Sequence, residues 1–155
     1  MILAAALVLA SSAFSPGGEI PVAATCSGAN RSPALSWSHV PAGTRAFALE
    51  LDDPDARGGD GRILVHWIAW NLPAGARRLT TGAHPPREGE NSFGARGYAG
   101  PCPPAGSRHR YRFRLYALDA PLRLAAGADR DRFAAALEGH VRGSALLVGR
   151  FRSRR

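Results

Sequence analysis

The chain has 155 residues, the length of one domain, which can bury about two thirds of its unfolded surface without metals or a disulfide framework. Eighteen glycines and twelve prolines, with short β-rich runs between them, argue for many turns, few long helices and an all-β sandwich. The formal charge of +8 is carried by arginine with no lysine at all; the arginines are spread through every segment without a helix-turn-helix, zinc or RNA-binding signature, which describes a basic solvated surface and not a nucleic-acid-binding protein.

In chain order, residues 1–14 read as the apolar core of a secretory signal ending at a small-residue site, but they lack a basic leading region and fall short of the about 20 apolar residues a membrane span needs. Strands are expected over residues 7–11, 34–37, 46–52, 63–71, 109–118 and 145–151, separated by Gly- and Pro-bearing turns at 41–44, 57–61 and 73–75. Between residues 80 and 96, Pro85, Pro86, Gly89 and Gly94 interrupt any periodicity and predict a long exposed loop. One helix is expected over residues 129–141: Asp129 and Asp131 suit its start, and Phe133, Leu137 and Val141 recur on one face, with Gly139 weakening the last turn. Arg150, Arg152, Arg154 and Arg155 read as solubilising a frayed end. No repeat or linker divides the chain, so residues 1–155 form one expected domain. Cys26 and Cys102 are too few for a disulfide framework; a single bridge is possible, but two free, buried thiols are the expectation.

Chemistry concentrates in three segments. In Gly100-Pro101-Cys102-Pro103-Pro104-Ala105-Gly106-Ser107-Arg108-His109-Arg110-Tyr111, prolines stiffen a loop that opens directly into a strand. His109, Tyr111, Phe113 and Leu115 share one strand face, the buried one, and Arg110, Arg112 and Arg114 take the other. Leu51-Asp52-Asp53-Pro54-Asp55 is an acidic turn leaving a strand, and Val65-His66-Trp67-Ile68-Ala69-Trp70 is a further strand. Asp53 and His66 could face one cavity. A lone histidine on an apolar strand face is ordinarily a satisfied core residue; two of them beside an aspartate are read differently. Trp67 and Trp70 fall on opposite strand faces, so at most one lines a pocket.

These segments resemble the phosphatidylethanolamine-binding protein family, and most closely its bacterial, Raf kinase inhibitor-like (YbhB/YbcL-type) branch. Thr25-Cys26-Ser27-Gly28-Ala29-Asn30, Ser32-Pro33-Ala34-Leu35-Ser36-Trp37, Asn91-Ser92-Phe93-Gly94, Gly97-Tyr98 and Leu147-Val148-Gly149 fit that branch in order, and the resemblance covers about residues 7–151. It implies a mainly β fold, an antiparallel β-sandwich of two sheets with one or two short peripheral helices. It also implies that residues 7–11 are a retained first strand, hence a cytoplasmic protein, with export the alternative. The family's small anion pocket maps onto Asp53, His66, Gly100, Pro104, His109 and Tyr111, with Asp55, Trp67 and Arg110 in support. There Asp53 orients a histidine, and two cationic rings and loop amides donate to an oxyanion. Arg57 stands where the family commonly has proline, making the rim looser or more cationic. The implied function is binding of a small phosphorylated or anionic ligand, with inhibition of a kinase or protease as a further role. No catalytic residue, cofactor, metal, nucleic acid or membrane span is expected, and monomer and homodimer both stay open. The alternatives are an enzyme, using Asp53, His66 and His109 as metal ligands or Cys102 as a nucleophile with His109 as base, and a partner protein whose pocket is vestigial.

Overall fold

The computed structural model describes residues 5–154. Two antiparallel sheets face each other. The smaller comprises β1 (Val8–Ala10), β2 (Leu35–Ser38) and β5 (Arg78–Leu79) in the order β1-β2-β5; the larger comprises β3 (Ala46–Arg57), β4 (Ile63–Pro73), β6 (Arg87–Glu88), β7 (Arg108–Leu118) and β8 (Val141–Arg152) in the order β6-β4-β3-β7-β8. A single helical turn at Val22–Ala24 and one α-helix, α1 (Arg130–Leu137), complete the described elements. Among the described residues, no helix is long and apolar enough to cross a membrane.

The period of two in β7 builds the main core. Tyr111, Phe113, Leu115 and Ala117 point inward and join Leu49, Leu51, Trp67, Leu147 and Phe151 from the same sheet, with Leu9, Leu35 and Trp37 opposite. Burying each large apolar side chain contributes about 1.5–3 kcal/mol, the principal stabilising term. A second cluster lies between the larger sheet and α1, where Phe133 and Leu137 cover Trp70, Ile68 and Leu118. Residues 17–20 continue the larger sheet beyond β8: Gly17 donates to the Val148 carbonyl, and Ile20 and Arg150 bond each other's segment through Ile20 N to Arg150 O and Arg150 N to Gly18 O.

Several expectations change. The helix stops at Leu137, because Glu138 turns extended at ψ 128° and Gly139 takes φ 79°, the left-handed conformation glycine adopts without strain; Val141 opens β8, and is exposed. Asp129 does start the helix, its side chain accepting from the Arg132 amide at 3.0 Å. Two short strands, β5 and β6, went unanticipated, and β6 lies inside the span expected to be a loop. Arg150 and Arg152 belong to β8 and not to a frayed end, paired in register with Arg110 and Arg108. The free, buried thiols are also corrected: Cys26 and Cys102 form a disulfide with Cα atoms 5.4 Å apart, in exposed residues of two loops that approach at one end of the sandwich.

Candidate functional site

At that end β3 runs out and β4 and β7 begin. Asp52 and Asp53 alternate across the sheet. Asp52 points outward to Arg112, in a bidentate pair at 2.7 and 3.0 Å. Asp53 points inward, 2 % exposed, its Oδ1 accepting from the Asp55 amide at 2.8 Å and its Oδ2 meeting His109 Nδ1 at 2.7 Å. With Nδ1–H committed to the carboxylate, His109 turns Nε2 away from Asp53. The contact fixes the orientation of the His109 ring relative to Asp53.

His66 reaches the same place by a different device. Leu51 pairs with Trp67 and Asp52 with Val65, leaving His66 as the extra residue of a β-bulge in β4. Simple alternation would send His66 and Trp67 to opposite faces; the bulge instead aims both at the inner side. Trp67 enters the main core, and the His66 ring meets Tyr111 edge-on with centroids 5.5 Å apart. The His66 Nδ1 lies 2.7 Å from the Ala99 carbonyl, which can only accept, so Nδ1 carries the proton and Nε2 the lone pair. That Nε2 is buried with no hydrogen-bond partner. Burial pushes the His66 pKa below its ordinary value, against the opposing pull of the Ala99 carbonyl and the Asp53 charge, so the ring is neutral. This corrects the expectation of two cationic histidines.

Tyr111 lies between the two imidazoles, its ring stacked on His109 at 6.4 Å and perpendicular to His66. Its hydroxyl is buried and closes no hydrogen bond; burial first, and the neighbouring Asp53 charge second, push its pKa well above the usual phenol value, so it remains a donor. Asp53, His66, His109 and Tyr111 are therefore brought together. The remaining candidates sit around them. Gly100 gives its amide to Asn30 Oδ1 at 2.8 Å, so that amide is no free donor; a Cβ here would fall 2.5 Å from Asn30 Oδ1 and 3.0 Å from Thr25 Cα, which makes glycine a packing requirement. Pro104 is exposed, and its carbonyl closes a turn with Ser107 N at 2.9 Å. Arg110 and Asp55 pair with each other on the outer side, through Nε and Nη2 at 3.0 and 2.7 Å. Trp67 donates its indole N–H to Glu88 at 3.1 Å and is a core residue.

The loop carrying Ala99 and Gly100 is held by contacts that sequence reasoning did not single out. Tyr98 donates to the Ala24 carbonyl at 2.6 Å, Cys26 N to the Pro101 carbonyl at 3.1 Å, and the disulfide closes the same junction. Phe93, 53 % exposed, meets the His66 ring edge-on at 5.1 Å on the solvent side, held there by Asn91, whose Oδ1 accepts from the Phe93 amide at 2.9 Å. Asn30 and Phe93 both lie within segments that carried the family resemblance, which was the available signal. Among the described residues no group of three or more His, Cys, Asp or Glu is arranged to hold a metal, and Cys102 has no thiol to act as a nucleophile because its sulfur is in the disulfide.

A family model described as phosphatidylethanolamine-binding protein matches residues 10–152. A UPF0098 protein of Methanothermobacter thermautotrophicus is 44 % identical over 154 residues, 93 % of this chain and 97 % of its own. LppC of Mycobacterium tuberculosis, whose name proposes a lipoprotein, is 45 % identical over 94 % of this chain and 72 % of its own. The crystal structure of CT736 from Chlamydia trachomatis, described as a homologue of phosphatidylethanolamine-binding protein, superposes with a TM-score of 0.90 at 36 % identity, covering 96 % of this chain and 98 % of that one. Escherichia coli YbcL gives a TM-score of 0.87 at 29 % identity, covering 96 % and 99 %. With the sandwich, the disulfide-held loop and the paired histidines in place, the chain belongs to the phosphatidylethanolamine-binding protein family, in its bacterial-type UPF0098 branch.

Proposed function

We propose that this protein is a binding module for a small phosphorylated or otherwise anionic ligand, taken between His66, His109 and Tyr111. The observation that carries the reading is the pair of buried, unpartnered polar atoms, His66 Nε2 and the Tyr111 hydroxyl, beside the Asp53–His109 pair. Buried polar groups without partners are costly and rare, and two in one ring cluster are suited to an external partner. Tyr111 O–H donates to an oxyanion. His109, oriented by Asp53, donates from Nε2 when it carries both protons. Neutral His66 accepts from a protonated phosphate oxygen, or takes up a proton as the anion arrives and then donates. Inhibition of a kinase or protease would follow from such a pocket engaging a phosphorylated protein.

The Cys26–Cys102 bridge favours an oxidising compartment over the cytoplasm, and the name of the LppC relative points the same way. Export is therefore the better-supported localisation.

The test is a titration of the oxidised protein with inorganic phosphate, phosphoethanolamine and O-phosphotyrosine, following backbone amide and histidine ring NMR shifts. Saturable shifts over residues 98–111, lost in His66→Ala and in His109→Ala, are expected. Flat titrations of a folded native protein would overturn the reading.

A further inference from the structure

We infer that the outer face of β7 and β8, at the same end of the sandwich, is a docking strip for an extended acidic segment of a protein partner. The inference is independent of the pocket. In the β7–β8 ladder Arg110 stands directly opposite Arg150, and Arg108 directly opposite Arg152. All four positions share the outward parity, because the intervening His109, which meets Asp53, and Phe151, in the core, point inward. Like charges directly opposite on neighbouring strands destabilise a sheet, so two such pairs in succession need an anion to offset them.

The protein supplies that anion only in part. Arg110 is forked by Asp55 at 2.7 and 3.0 Å, and Arg108 has Glu19 at 3.6 Å. Among the described residues, Arg152 gives one N–H to the Gly106 carbonyl but meets no carboxylate, and Arg150 and Arg154, both exposed, make no ion pair. The fork on Arg110 shows what a carboxylate does when it reaches this face, since guanidinium and carboxylate match in two parallel hydrogen bonds.

Spacing and surroundings choose the partner. Successive outward residues on a strand advance by about 6.6 Å, the repeat of alternate side chains on any extended chain. A segment lying along β7 and β8 with acidic residues at every second position would therefore present one carboxylate to each arginine pair. The strip is two strands wide, and Asp52 and Glu50 on neighbouring β3 flank it, in register with Arg112 and Arg114. Those carboxylates, with Asp55, bound the strip on its β3 side, and Glu19, bridged to Arg150 beyond β8, bounds it on the other; together they narrow the cationic area and would oppose a broad anionic membrane surface, whereas a single extended chain fits between the two sides.

Fluorescence anisotropy of a labelled peptide of alternating Glu and Thr, against its Gln–Thr counterpart, tests the strip on the full oxidised chain. The acidic peptide is expected to bind and the neutral one not; at least tenfold loss of affinity is expected in the Arg150→Gln/Arg152→Gln protein, and a comparable loss on raising the salt to about 0.5 M. Because these substitutions remove like-charge repulsion, the variant is expected to melt no lower than the native protein, which separates lost binding from lost folding. Absence of acidic-peptide binding, or binding that survives the double substitution, would overturn the inference. Binding to vesicles of anionic phospholipid without binding to the peptide would overturn it in favour of a membrane surface.

Discussion

His66 is held neutral by its surroundings, and that fixes the sign of its response to pH. Asp53, Asp52, His109 and Tyr111 are the titratable groups around it; the two aspartates favour its charged form, but burial outweighs them and its pKa lies below the ordinary histidine value. In the free protein, protonation therefore favours the unfolded chain: the stability contributed by this group is present above the unfolded histidine pKa of about 6.5 and is lost as pH falls. An anion bound at Nε2 reverses the preference, since the charged ring would then donate to it, so binding takes up a proton. Sulfate isolates the effect because it stays a dianion across the range. Its affinity is expected to rise as pH falls from about 8 to 5.5, by at most tenfold per pH unit for one linked proton, with a shallower slope in His66→Gln. Calorimetric titration at several pH values measures this, and an affinity that is flat with pH, or a slope unchanged by the substitution, would contradict proton-linked binding. The alternation of β7 already placed His109 and Tyr111 together from sequence. The neutrality of His66 was not legible there, because it depends on burial from all sides, which outweighs the opposing pull of the Ala99 carbonyl, 33 residues away.

At the scale of elements, the site is made by irregularities. β4 delivers His66 through a bulge that no two-residue period reveals, since a bulge arises from the competing registers of two strands and not from either alone. The boundaries of α1 show the same division. Its cap at Asp129 was legible, a short-range bond between a side chain and an amide three residues on, whereas its end was not: Val141 continues the apolar stripe of the helix but is taken by pairing with Leu118 in the sheet. The disulfide escaped for a third reason, since bridging needs a Cα separation set only when the two loops meet. Once formed it ties loops 76 residues apart, and restricting an unfolded loop of that size is worth about 4.5 kcal/mol in the chain-entropy account, typically about 2–4 when measured. The Cys26→Ser/Cys102→Ser protein is accordingly expected to lose about 2–4 kcal/mol in urea unfolding, with amide exchange accelerating most over residues 98–107. Unchanged stability would mean that the Tyr98–Ala24 and Gly100–Asn30 hydrogen bonds hold the loop unaided.

For the whole molecule, β1 and the disulfide place opposite demands on the route the chain takes. An oxidising compartment suits the Cys26–Cys102 bridge, yet cleavage at the small residues near Ala13 would remove β1, whose Leu9 is 4 % exposed and pairs with Trp37, along with buried Leu7. Removing both leucines from the core forfeits about 1.5–3 kcal/mol each. It also leaves the smaller sheet as β2 with a two-residue β5, below the three strands a stable sheet generally needs. A chain beginning at Phe14 is therefore expected to melt at least about 6 °C below the full chain, given about 2–4 °C per kcal/mol for a domain of this size. It should also expose Trp37 of the same sheet and Phe47 of the opposite one, which pack at 5.4 Å, to solvent quenching. Thermal unfolding of the two chains with the disulfide intact decides the matter: equal melting temperatures would make β1 dispensable and cleavage there compatible with the fold. A large difference would mean that any export of this protein must carry residues 7–10 along, so that the stretch resembling a signal is kept as the strand that closes the sandwich.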